Sequence, residues 1–98
     1  MDRKQALQIL KSHQSQLSLR GVRRVALFGS VARDQSGPQS DLDILVQIDP
    51  AARLDLYSYT ALTQYIGDLF PVRVDIANYE GLKAHLKASV ERDAIYAF

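Results

Sequence analysis

The sequence predicts an α/β (α+β) fold, a small mixed β-sheet of about three strands with helices on one face. Three observations carry that expectation. Apolar residues recur at helical spacing in three separated stretches. Between them lie three short apolar runs, 22–28, 41–48 and 72–77, and the last two alternate with a period of two. The resulting order α, β, short turn, β, α, β, α lets the helices cover one face and leaves the other open for chemistry.

At 98 residues the chain is expected to be one domain, 1–98, with a single modest core. An apolar content of 47% with 23% charged residues is ordinary for a globular protein. The net charge of +1 gives no general attraction to nucleic acid or to anionic membrane, so neither is expected as a direct partner. The lack of cysteine excludes disulfides and thiolate zinc sites. The N-terminus lacks the apolar segment of a signal peptide, and no apolar run is long enough to span a bilayer, so a cytoplasmic location is expected.

Residues 2–18 read as an amphipathic helix, with Asp2 as N-cap and Ala6, Ile9, Leu10, His13 and Leu17 near one stripe. Gly21 stops it. Arg20, Arg23 and Arg24 then form a basic cluster, either a solvated edge or a contact for nucleotide or an acidic surface. After the strand 22–28, the turn-forming residues 34–40 predict an irregular loop into the strand 41–48. Asp49-Pro50 reads as N-cap and first residue of a helix reaching about Ile66, with Gly67 and Pro71 ending it. Tyr57 and Tyr59, two apart on that helix, cannot both face the core. The strand 72–77 follows, and then a final helix over 80–97 with Asn78 as N-cap and Leu82, Leu86, Val90 and Ala94 in line. His13 and His85 lack neighbours at metal-ligand spacing.

The chemistry concentrates between Val25 and Asp49. In a strand, residues i and i+2 share a face, roughly 6.6 Å apart. Leu42, Ile44, Val46 and Ile48 make a core row, which puts Asp41 and Asp43 side by side opposite it. Two adjacent carboxylates need a compensating charge, and Mg²⁺ or Mn²⁺, which prefer oxygen ligands, would supply it. Gly29 and Ser30 end the first strand where a missing side chain admits a ligand, and they open a short helical turn. Backbone N–H groups, the Ser30 hydroxyl and the Arg33 guanidinium there suit phosphate, with Ser40 added to the same nucleotide-binding set. In the third strand Val72, Val74 and Ile76 face the core, so Arg73 and Asp75 lie on the face type of Asp41 and Asp43. Three carboxylates on one open face are what a two-metal site requires.

Gly29-Ser30, ten residues, then Asp41-Leu42-Asp43 resembles the signature of the DNA polymerase beta-like nucleotidyltransferase superfamily. The whole chain resembles its minimal nucleotidyltransferase (MNT) domains, commonly paired with a helical HEPN-domain partner as antitoxin and toxin. The resemblance implies the polymerase beta-like fold, and Asp41, Asp43 and Asp75 as catalytic metal ligands for two Mg²⁺ ions. It implies ATP as donor, pyrophosphate as leaving group, and a tyrosine hydroxyl of a HEPN toxin as acceptor of AMP. Asp75 matches the family's third carboxylate, an Asp after a valine in a late strand. The chain departs from the commonest pattern at Asp34-Gln35, which adds negative charge beside the phosphate site. No residues remain for an acceptor-binding domain, so the acceptor is expected on a partner. The alternative is a non-catalytic antitoxin that neutralises its HEPN partner by covering it.

Overall fold

The computed structural model describes residues 1–32 and 41–98, with the side chains of Ser30 and Val31 outside that set. The alternating apolar run after Asp41 forms β2 (Leu42–Ile48), which pairs antiparallel with β1 (Val22–Phe28). β3 (Val74–Asn78) lies parallel to β2, and β4 (Ile95–Tyr96) lies antiparallel to β1, giving the order β3-β2-β1-β4. Val22, Val25, Leu27, Leu42, Ile44 and Val46 face one core, with Val74 and Ile76 packed against it. A register shift between Val22 and Arg24 is a bulge that turns both Arg23 and Arg24 to solvent. Ala26 and Leu45, register partners across β1 and β2, are fully buried on the other face. That face is therefore closed behind its Asp43 end.

The expected helix over 2–18 is two helices, α1 (Arg3–Ser12) and α2 (Gln14–Leu19). Asp2 caps α1 as expected, through a capping box in which Gln5 N–H donates to Asp2 Oδ1 (2.8 Å) and Asp2 N–H donates to Gln5 Oε1 (3.1 Å). The break at His13 has a local cause. In a continuous helix the His13 amide would donate to the Ile9 carbonyl. Ser12 Oγ donates to that oxygen instead (2.8 Å), and His13 Nδ1 lies 2.8 Å from it, donating in the tautomer protonated there. Ala6, Leu10 and Leu17 still reach the core.

The helix expected from Pro50 is also divided. Asp49 caps only a 3₁₀ turn, Pro50–Ala52, by accepting from Ala51 N–H (2.9 Å). Arg53 then takes a left-handed conformation (φ 48°, ψ 53°), which ends the turn. Asp55 caps anew by accepting from Ser58 N–H (2.7 Å), and α4 (Leu56–Gly67) begins there. Those amide contacts hold the Asp55 carboxyl below its ordinary value. α4 is the crossover that parallel β2 and β3 require. It buries Leu62 and Ile66, packs Tyr59 against the core and leaves Tyr57 85% exposed.

The last helix is shorter than expected, and it frees a strand. Asn78 caps a 3₁₀ turn, Tyr79–Gly81, and α5 follows as Ala84–Asp93. The chain then straightens. Ala97 N–H donates to Val25 O (2.9 Å), so the tail completes a fourth strand where about three were expected. α5 carries the chain from the β3 edge to the β4 edge and adds no residue to the core cluster. Its Glu91 accepts from the Tyr79 hydroxyl, and Lys87 lies 5.0 Å from the Tyr79 ring centroid. No helix among the described residues is long and apolar enough to cross a membrane.

The Tyr79 contact gives a pH prediction. The hydrogen bond to Glu91 raises the phenol to about 12. A folded value above the unfolded value of about 10 means the contact contributes below pH 10 and is lost as pH rises toward 12. In a phenolate absorbance titration, Glu91→Gln should bring Tyr79 down toward about 10. A wild-type Tyr79 already titrating near 10 contradicts this.

Candidate active site

Asp43 is the second residue of β2 and Asp75 the second of β3. The two are register partners, so their backbones are one strand spacing apart, about 4.8 Å. On the other side, Asp43 pairs with Phe28, the last residue of β1. The chain turns there through Gly29 into α3 (Gly29–Ala32). Gly29 has φ +75°, and a Cβ built on it would collide with Asp43 Oδ2 and stand 3.0 Å from its Cγ. The conformation therefore favours glycine, and any Cβ there would push the Asp43 side chain aside. The Asp43 carboxylate lies directly against the turn expected to hold phosphate.

Asp41 stands one residue before β2. Leu42 N–H donates to Arg73 O (2.9 Å), which ties the entry to β2 to the entry to β3. Arg73 Nε lies 4.0 Å from Asp41 Oδ2 and 3.9 Å from Asp75 Oδ1. Both carboxylates are about half exposed, at 46% and 54%, so the site is a solvent-facing ledge.

The structure thus brings together Gly29, Asp41, Asp43 and Asp75. Ser30 lies in α3, but its side chain, Arg33 and Ser40 fall outside the described residues, as does Asp34-Gln35. The donor set is carboxylate oxygen throughout, which fits a hard divalent cation. As they stand, no three acidic or histidine side chains among the described residues converge on one point. Asp41 and Asp75 are instead held about Arg73. Closing round an ion needs side-chain rotation, and the half exposure of both permits it.

The residue that sequence reasoning undervalued is Arg73. Its alternation with Val72 and Val74 places it on the carboxylate face, beside Asp75. The basic cluster, by contrast, disperses. Arg20 stacks over Tyr65 (4.2 Å to the centroid) and Arg24 over Tyr96 (3.7 Å). A cleft of about 540 Å³ lined by Arg20, Asp49, Leu54 and Ser58 lies past the far end of β2, about 20 Å from Asp43 along the strand. Concavity alone favours that cleft. Chemistry favours the ledge, where Asp41 and Asp75 share Arg73 and Asp43 lies against the left-handed Gly29 turn.

A mixed sheet with a Gly-Ser turn after β1 and Asp-x-Asp at the start of β2 is the architecture of a nucleotidyl-transferring domain. Residues 3–97 match the nucleotidyltransferase domain family, and the chain belongs to it. It is similar to protein adenylyltransferase MntA of Thermococcus cleftensis, with 34% identity over 89 residues, 90% of this chain and 88% of that one. The solved structure of a chain provisionally described as a minimal nucleotidyltransferase superposes with a TM-score of 0.81 at 35% identity, covering 97% of this chain and 95% of that one. A chain in the solved complex of a tri-AMPylated Shewanella oneidensis HEPN toxin with its MNT antitoxin shares the fold, with a TM-score of 0.64 at 20% identity, covering 94% and 71%.

Gly29→Ala should cost about 1–3 kcal/mol of stability, from the left-handed backbone and the displaced Asp43 side chain together. Chemical denaturation checks it. Unchanged or increased stability would show that Asp43 does not rest on Gly29.

Proposed function

We propose that residues 1–98 act as one cytoplasmic domain that transfers AMP from ATP to a tyrosine hydroxyl of a HEPN-domain toxin. The observation that carries this is Asp43 in register with Asp75, beside Gly29 and flanked by Asp41. Asp41, Asp43 and Asp75 would hold two Mg²⁺ ions, with Mn²⁺ as a substitute. Such ions supply charge neutralisation of the triphosphate and acidify the attacking hydroxyl. The residues do the rest by positioning. The Gly29–Ser30 turn, with Arg33, would hold the β and γ phosphates, and Ser40 would add to nucleotide binding. Asp75 would take the hydroxyl proton. The phenolic oxygen forms a bond to the α phosphorus, the bond from that phosphorus to the bridging oxygen breaks, and pyrophosphate leaves with the electron pair.

The adenylyl donor and protein acceptor are supported by the Thermococcus relative's name and by the AMP carried by the Shewanella toxin. The Asp41 and Asp75 carboxylates are open to solvent, which would allow the acceptor hydroxyl to arrive on a partner's surface. A second reading has one observation in its favour. Arg73 already offsets Asp41 and Asp75, as a non-catalytic antitoxin that works by covering its partner would allow.

Intact-mass spectrometry separates the two. Incubation with the HEPN partner, ATP and Mg²⁺ should add about 329 Da per AMP to the partner and nothing to this chain. Asp43→Asn and Asp75→Asn should slow the transfer by about a hundredfold or more. An unmodified partner in a stable complex favours the covering antitoxin. Modification of RNA or a small molecule instead overturns the protein acceptor.

A further inference from the structure

Resting on the metal-site reading above, we infer that Arg73 is a resident counter-cation of the nucleotide-free site, so that divalent ions load together with the triphosphate and not before it. The backbone and side chain of Arg73 behave differently. Its carbonyl accepts from Leu42 N–H at 2.9 Å, which anchors the residue to the start of β2. Val72 and Val74 pack against the core, which directs Arg73 to the carboxylate face. The side chain is 77% exposed and reaches Asp41 and Asp75 at 4.0 and 3.9 Å. Those distances are too long for N–H···O hydrogen bonds, so the association is Coulombic and exchangeable. Arg73 is a cation on a tether.

That placement opposes one ligand and favours another. A bare divalent ion entering between Asp41 and Asp75 meets a unit positive charge already there. An ion arriving on a triphosphate brings net negative charge, which the same guanidinium attracts. Its planar fork also suits phosphate oxygens once it leaves the carboxylates. Arg73 therefore lowers affinity for the ion alone and raises affinity for the ion–nucleotide complex. No side chain on β2 can do this, because the core row of β2 points away and the opposite row offers only Asp43, Leu45 and Gln47.

The test measures Mn²⁺ binding by the loss of its free-ion EPR signal, with and without a non-hydrolysable ATP analogue, in wild type, Arg73→Gln and Arg73→Lys. Arg73→Gln should bind bare Mn²⁺ about tenfold more tightly, the effect of removing one charge roughly 6 Å from a double charge in a water-like dielectric. Its affinity for Mn²⁺ with the analogue should fall relative to wild type. Arg73→Lys, which keeps the charge, should stay within about threefold of wild type for bare Mn²⁺. The gap between wild type and Arg73→Gln should narrow at high salt, as screening requires. A merely structural role would move the melting temperature and leave these affinities alone. Equal bare-Mn²⁺ affinity in wild type and Arg73→Gln overturns the inference while leaving the metal site standing. If wild type binds no Mn²⁺ under either condition, or binds it as well after Asp43→Asn, the metal-site reading itself fails.

Discussion

Two carboxylates on adjacent strands in register set the terms for this fold. Like charges on the same face of neighbouring strands repel, and more strongly the less water reaches them. Asp43 and Asp75 are held in that relation by the parallel pairing of β2 and β3. The pairing persists because their neighbours Leu42, Ile44, Val74 and Ile76 belong to the core side of the same strands. A one-residue slip would bring the carboxylates into the core. Register and site are thus fixed by the same contacts. Gly29 gives way to the Asp43 side chain, and Arg73 offsets the charge at the outer edge.

The placement of the candidate carboxylates was legible because it rests on strand alternation, the most local of structural rules. Reading 41–48 and 72–77 with a period of two separates Ile44 and Ile76 from Asp43 and Asp75 without any tertiary information. It also places Arg73, although what Arg73 does depends on how closely β3 approaches β2, which no local rule contains. Gly29 was legible as a permissive position. The particular side chain that needs its missing Cβ became visible only when β1 and β2 were paired.

The helices were less legible, and the cause is competition for backbone groups. The Ser12 hydroxyl takes the Ile9 carbonyl, with His13 Nδ1 against the same oxygen, so a helix with continuous apolar periodicity breaks at His13. Asp49 and Asp55 are both competent N-caps. The second one starts the α-helix because Arg53 turns left-handed between them. At the C-terminus, the pairing of Ala97 with Val25 overrides helical spacing. That is a long-range contact, and the few residues involved carry too short a pattern to announce a strand.

Asp41, Asp43 and Asp75 are proposed to form a divalent-cation site beside the Gly29 turn. Crystals grown with Mn²⁺ and a non-hydrolysable ATP analogue, measured at the manganese absorption edge, test it most directly. Anomalous peaks are expected between the Asp43 and Asp75 carboxylates and next to Asp41, with the triphosphate over the Gly29–Ser30 turn and Arg73 moved off the carboxylates. Ordered nucleotide in the cleft beside Asp49, with no manganese at Asp43, would contradict it.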